Sequence, residues 1–515
     1  MPRFVLRCDA SMAIGSGHVM RCATLAARLR ERGADVEFAC RNLPAFLRER
    51  IAAAGAGRVH ALPERSNPGP ADGEPVLAHR DWLGVSQATD AADTLEIVRA
   101  GPRPDWLIVD HYALDARWER ALRPHVRNLL AIDDLADRDH DCDLLLDQNF
   151  FLDPAPRYAR RLPRAADTLL GPRFALLRPE FAATRERQPE RDGALRRLFV
   201  SFGSFDPANQ TSLALRAMAA AGLGELAVDV VIGRDHKHRA EIEGLCRKLP
   251  QCQLHVDAES MAVLMDAADL AIGASGATNW ERCCLRLPSL LVSVAENQYP
   301  IARDLDTAGV CLFLGRSDAV TANVIAAALR RVAASPGLAR ELGTRAGALT
   351  DGQGARRVTS RLLPEPIRLR PAQPSDCGPM HAWRNAEETR RYAFDPAPID
   401  LDIHRRWFEQ VLHKPEVALL VGERDPGPVG VLRYDLNGGE AKISVYLVPG
   451  MQGQGLGTAL LVAGTRWLRN RYPEVQRIVA EVRDDNAASF EAFANAGFRP
   501  GSQNLVLDLA HDPRA

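Results

Sequence analysis

A histidine behind a glycine turn, at the start of a helix, is a candidate proton acceptor beside an anion. The stretch Gly15-Ser16-Gly17-His18-Val19-Met20-Arg21 follows the apolar run Phe4-Val5-Leu6 and opens a helix expected from about His18 to Arg32, stopped by Gly33. Backbone N–H groups at a helix start attract phosphate. Their partial positive charge disfavours imidazolium, so His18 is expected to be neutral and able to take a proton near pH 7. The chemistry implied is general-base catalysis beside a phosphorylated substrate. A tight turn with a capping histidine is the competing reading, and spacing alone does not separate the two.

Parallel strands and helices must position such a residue. Over residues 1–165, apolar runs at 4–6, 36–40, 106–109 and 129–132 alternate with helical patterns, and 63–75 reads as a surface loop. Residues 166–363 repeat the alternation, with runs at 198–202, 228–232, 254–256, 270–272, 290–294 and 310–314 and a last helix after Gly354. Two Rossmann-like α/β domains are expected. Pro364-Glu365-Pro366 breaks the pattern, since neither proline suits a helix interior, and is taken as a linker at 364–366. In 367–515 the strands cluster at 417–421, 429–434 and 441–448 before a glycine turn and a helix, the pattern of an α+β domain.

Open α/β sheets bind ligands at the carboxyl ends of their strands. Besides the His18 loop, such ends carry Asp110-His111-Tyr112, the 203–209 segment beginning Gly203-Ser204, and the 273–281 segment containing Ser275, Gly276, Thr278 and Glu281. Small residues and hydroxyls at the last of these suit a second phosphate cradle. Glu281 could accept two vicinal ribose hydroxyls or be a capping acid. Asn297 and Gln298 could bond sugar hydroxyls or acetamido groups, or simply cap a helix.

These motifs resemble a known family. Arg7-Cys8-Asp9-Ala10 with residues 14–22, Ile132-Asp133-Asp134-Leu135-Ala136 with Arg138, Asp147-Gln148-Asn149, Ser201-Phe202-Gly203-Ser204 and the 273–281 segment are similar to the UDP-sugar hydrolase of pseudaminic acid biosynthesis, a route associated with flagellin glycosylation. The resemblance spans about residues 1–360. It implies a glycosyltransferase-B-like (GT-B-like) pair of domains. It also implies hydrolysis of UDP-2,4-diacetamido-2,4,6-trideoxy-β-L-altropyranose to UDP and free sugar, with His18 activating the water. Substrate contacts are then expected from Asp9, Gly15, Gly17, Arg21, Tyr112, Gly203, Ser204, Ser275, Gly276, Thr278, Glu281, Asn297 and Gln298. Asp9 and Tyr112 are candidates for holding the sugar or orienting His18, or else a loop cap and a packed aromatic. Asp133 and Asp134 are adjacent and point differently, and no metal-clamp spacing falls at these loops, so no metal is expected.

In the third block, Gln452-Gly453-Gln454-Gly455-Leu456-Gly457-Thr458 lies between a strand and a helix, where successive N–H groups can wrap a pyrophosphate. It resembles the signature of GNAT acetyltransferases, as do residues 481–489 and Gly497-Phe498. The resemblance implies acetyl-CoA as co-substrate, held by Tyr446, Leu447, Gln452, Gly453, Gln454, Gly455, Gly457, Thr458, Asn486 and Ser489. Trp383-Arg384-Asn385, Arg390 and the 404–408 segment point to the branch containing the pathway's 4-amino-sugar acetyltransferase and ribosomal-protein acetyltransferases. Phe493 stands where many relatives have a proton-donating tyrosine. The expected function is bifunctional, 4-N-acetylation of a UDP-amino sugar followed by its hydrolysis. The alternatives are an inverting glycosyltransferase, or a non-catalytic nucleotide-sugar module fused to a protein acetyltransferase.

Whole-chain properties narrow the class. The 515 residues carry 65 Lys plus Arg and 66 Asp plus Glu, with no basic stripe for nucleic acid. Ten scattered cysteines form no C-x-x-C pair, and no run approaches a membrane span, so a reducing cytoplasm without membrane insertion is expected. Oligomeric state is not encoded legibly.

Overall fold

The computed structural model describes the chain apart from residues 65–76, 164, 364–365, 426, 453–454, 502–503 and 510–515. Most of the loop expected at 63–75, and Pro364 and Glu365 of the expected linker, lie outside the described residues. The chain divides into two compact units, Met1–Leu362 and Leu363–Ala515.

In the first unit the strands are near-continuous apolar runs, as strands covered by helices on both faces must be. One sheet contains β1 (Arg3–Cys8), β2 (Asp35–Cys40), β3 (Arg58–Ala61), β4 (Trp106–Asp110), β5 (Asn128–Ile132), β6 (Leu144–Asp147) and β7 (Asp167–Leu170). Its order is β3-β2-β1-β4-β5-β6-β7, and every pair is parallel. The second contains β8 (Arg197–Ser201), β9 (Ala227–Ile232), β10 (Cys252–Val256), β11 (Leu270–Ala274), β12 (Ser289–Ser293) and β13 (Leu312–Arg316), in the all-parallel order β10-β9-β8-β11-β12-β13. Two doubly wound sheets in one unit make the expected GT-B-like arrangement. Each reverses its winding between its first and fourth strands, β1/β4 and β8/β11. Such switch points are where open parallel sheets bind ligands.

Some elements differ from expectation. β3, β6 and β7 are short or half-exposed strands that hydropathy runs did not reveal. Because β7 joins the first sheet, that sheet continues past the boundary expected after residue 165. The last helix of the unit, Gly354–Leu362, packs on the helix Gly17–Glu31, and Trp106 Nε1 donates to the Leu362 carbonyl at 2.9 Å. Phe150 and Phe151, directly after β6, pack against the second sheet's core, so the carboxyl edge of the first sheet abuts the second lobe.

The second unit has one mixed sheet of β14 (Arg368–Pro371), β15 (Val417–Arg424), β16 (Gly427–Asn437), β17 (Glu440–Leu447), β18 (Arg477–Ala480), β19 (Arg499–Pro500) and β20 (Leu505–Asp508), in the order β14-β15-β16-β17-β18-β20-β19. Alternation along β15 sends Leu420 to the core under the helix Leu456–Arg471, and Leu419 and Val421 to a second core under Leu401–Leu412. Among the described residues one pairing of this sheet is parallel, β17 with β18, and it holds only from Glu440↔Arg477 to Ile443↔Ala480. β17 runs on to Leu447 paired with β16 alone, which opens a wedge.

Candidate active sites

β1 ends at Cys8, and the loop after it closes where Gly15, at φ +81°, donates its amide to the Ser11 carbonyl at 2.8 Å. The next helix begins at Gly17. His18, in its first turn, is buried with Nδ1 2.6 Å from Asp110 Oδ1. Asp110 is the last residue of β4, the neighbour of β1, so the switch point itself brings the pair together. A carboxylate facing Nδ1 fixes the neutral ring's proton there and leaves a lone pair on Nε2. Among the described residues Nε2 makes no hydrogen bond and is not sealed from solvent.

Arg21 braces this pair. It donates Nε to Asp110 Oδ2 at 2.6 Å, Nη2 to Oδ1 at 2.7 Å, and Nη1 to Asp134 Oδ2 at 2.7 Å. The Tyr112 hydroxyl donates to the same Asp134 oxygen at 2.6 Å, and its ring meets the His18 ring edge-on at 4.6 Å. Burial opposes ionisation of Asp110, but Arg21 and then His18 outweigh it and hold the carboxyl well below the usual carboxylate range. The wall continues through Trp82, stacked on Tyr112 at 5.7 Å, and His79, 4.2 Å from Trp82.

Sequence reasoning placed Asp110-His111-Tyr112 at a ligand-binding strand end but gave a role to Tyr112 alone. An acid ending a buried strand beside the His18 strand was the available signal. Asp134 was seen only as part of a family motif, and His79 and Trp82 carried no signal, because only folding brings these residues to His18. Asp133 and Asp134 do diverge: Asp133 pairs with Arg138 at 2.8 Å, while Asp134 turns to Arg21 and Tyr112. Asp9 is a correction. It is fully buried, paired with Arg7 at 2.8 Å and bonded by the amides of Arg41 (2.7 Å) and Asn42 (3.0 Å). Its oxygens are spent on structure, so it neither meets a sugar nor orients His18.

At the second switch point, Gly203 turns at φ +91° after β8, and Ser204 lies against Gly233, where a Cβ would come within 2.9 Å of the serine's own. After β11, Ser275 donates to the Gln298 carbonyl at 3.1 Å, and a Cβ on Gly276 would sit 3.4 Å from Gln298 Nε2. Gln298 Oε1 accepts the Val294 amide at 3.2 Å, so that side chain braces the loop. Thr278 begins the helix Thr278–Cys284. Asn297 holds a cap position but makes no side-chain cap bond. Glu281 lies 3.7 Å from Arg178, and burial, partly offset by that arginine, raises its pKa.

In the second unit the wedge beyond Ile443 is lined on one side by Tyr446 and Leu447. The Val448 amide donates to Val429 of β16 at 3.0 Å. Amides alternate sides along a strand, so that of Leu447 points into the wedge. The turn ends at Gly455, φ +71°, directly before the 16-residue helix Leu456–Arg471. Gly457 and Thr458 sit in its first turn, and Thr458 Oγ1 donates to Ala492 at 3.3 Å. Gln452 precedes the turn; Gly453 and Gln454 lie outside the described residues. Asn486 Oδ1 accepts the Ser489 amide at 3.1 Å and caps the helix Ala487–Asn495. Phe493 is buried against Phe498, with ring centroids 4.9 Å apart. Among the described residues no cluster of His, Cys, Asp or Glu is placed to hold a metal, and no helix is long and apolar enough to cross a membrane.

Residues 367–499 match the family model described as acetyltransferase (GNAT) domain, so the second unit carries a GNAT domain. The amino-terminal region is 30% identical over 196 residues to the spore coat polysaccharide biosynthesis protein SpsG of Bacillus subtilis, covering 37% of this chain and 57% of that protein. The chain thus spans little more than half the length of this curated relative. Among solved structures, MurG of Acinetobacter baumannii is 14% identical, covering 70% of this chain and 99% of its own at TM-score 0.48. AAC(6')-Ib in complex with acetyl-CoA is 20% identical, covering 29% and 99% at TM-score 0.27.

Proposed function

We propose that the first unit hydrolyses a UDP-linked diacetamido sugar, UDP-2,4-diacetamido-2,4,6-trideoxy-β-L-altropyranose, and that the second acetylates the 4-amino group of its precursor with acetyl-CoA. The observation that carries the hydrolase reading is the His18–Asp110 pair with Nε2 left free at the β1/β4 switch point. Nε2 accepts a proton from water as its oxygen attacks the anomeric carbon. The bond from that carbon to the diphosphate oxygen breaks, and UDP leaves with the electron pair. Asp110, already ionised, stabilises the imidazolium without taking its proton. Gly203 after β8 and Ser275 with Gly276 after β11 lie on two neighbouring turns suited to the departing diphosphate, and Asn297 and Glu281 are the proposed sugar and ribose contacts.

For the second unit, the wedge and the Leu447 amide suit a thioester carbonyl, and the start of the helix Leu456–Arg471 after Gly455 suits a pyrophosphate. Acetyl-CoA would supply the acyl group. Tyr446, whose pKa burial raises, is protonated at neutral pH and stands as a candidate donor to the leaving thiolate.

His18→Ala is expected to retain UDP-sugar binding and lose UDP release, by about 10²–10⁴-fold, the usual worth of general-base catalysis. UDP release coupled to mass and NMR analysis of the sugar tests this. Comparable turnover in the variant overturns the base assignment. UDP release that requires an added sugar acceptor makes the unit a glycosyltransferase.

A further inference from the structure

Two arginines are among the largest fully buried side chains, Arg7 and Arg282. Arg7 is balanced by the carboxylates of Asp9 and Asp90, each at 2.8 Å. Arg282 is not. Its Nη2 donates to the Ala274 carbonyl at 2.7 Å and to Asn279 Oδ1, while Nε and Nη1 have no partner among the described residues. Among the described residues no carboxylate forms an ion pair with it; Glu281, the preceding residue, acts on it only through its field and itself faces Arg178 at 3.7 Å. A Cβ on Gly273 would lie 2.5 Å from Nη1, so the guanidinium sits directly beneath the 273–276 loop at the β8/β11 switch point. Burial lowers its pKa to about 10, which still leaves it charged at neutral pH. A buried charge without a partner is costly to keep.

We infer that Arg282 is a positioning residue whose unbalanced charge, acting from behind the 273–276 loop, is the counter-charge for a diphosphate bound on that loop. This rests on the nucleoside-diphosphate reading of the first unit. The guanidinium holds the Ala274 carbonyl toward itself, so the Ser275 amide of the same peptide plane points the other way, and its attraction for a ligand grows with the ligand's negative charge. A residue that merely props the loop would affect charged and uncharged ligands alike.

The test is calorimetric titration of the full chain with uridine, UMP and UDP. Two variants that change the charge balance are compared with the parent, and Arg282→Lys serves as the rescue. Arg282→Gln keeps a donor for Ala274 but removes the charge, and Asn279→Asp keeps the arginine but pairs it with a carboxylate. Both are expected to weaken UDP about tenfold or more, UMP less, and uridine not at all. Arg282→Lys should restore most of the difference. If Arg282→Gln does not fold, Asn279→Asp is read alone, and its ligand-free melting temperature should hold or rise. Equal losses for all three ligands, or undiminished UDP binding in Asn279→Asp, overturn the inference. Failure of the parent chain to bind UDP overturns the nucleotide reading instead.

Discussion

His18 is positioned by a carboxylate whose charge Arg21 secures. Asp110→Asn removes that charge at nearly constant volume, so Nδ1 loses an ionised acceptor and the imidazolium formed during turnover loses its partner. Hydrolysis should fall by about 10²–10⁴-fold while KM for the UDP-sugar changes little, because the interaction matters most in the transition state. Steady-state UDP release measures both. A raised KM with unchanged kcat would show that Asp110 serves binding alone. At the same scale, Asp9 illustrates how a sequence motif misleads. It stands at the end of β1, where ligands bind, yet its neighbours Arg7, Arg41 and Asn42 consume its oxygens.

At the scale of elements, the carboxyl end of β5 is tied to the helix Ala116–Leu122 through His140, 2.7 Å from Glu119 and 3.7 Å from Asp133. Burial disfavours the imidazolium, but Glu119 and Asp133 outweigh it and raise its pKa from 6.5 to about 9. The folded chain therefore keeps a proton that the unfolded chain gives up near pH 6.5. The stability this contributes is whole below pH 6.5 and is lost as pH rises toward 9. Thermal melts across that window should show the decline, and His140→Gln should lower the melting temperature at acid pH while flattening this part of the curve. A parallel decline in the variant would assign it to other groups.

At the scale of the whole molecule, the first unit has two sheets and the second unit one, each unit with its own cores and its own proposed site, so the two proposed activities should be separable by point substitution. Gly455 sits at φ +71°, where a β-branched side chain is strained. Gly455→Val should abolish acetyl-CoA-dependent release of CoA thiol and leave UDP release from an already acetylated donor intact, whereas His18→Ala should do the reverse. Thiol and UDP assays on the same preparations test this, and loss of both activities in either variant would contradict independence.

Much of this was legible in the sequence, because period and punctuation report local physics. Continuous apolar runs between helical patterns identified ten of the parallel strands in the first unit. Glycine turns before helices marked the His18 loop and the turn ending at Gly455, since a positive φ favours glycine. Short or half-exposed strands such as β3 and β7 lack the burial that makes a run apolar, and they went unseen. Only the tertiary structure decided that Asp110 rather than Asp9 holds His18, that Asp134 ties Arg21 to Tyr112, and that among the described residues Arg282 has no ion-pair partner. Each depends on which strands lie side by side and on how a buried charge is balanced by groups far away in the chain, and neither leaves a mark in local spacing.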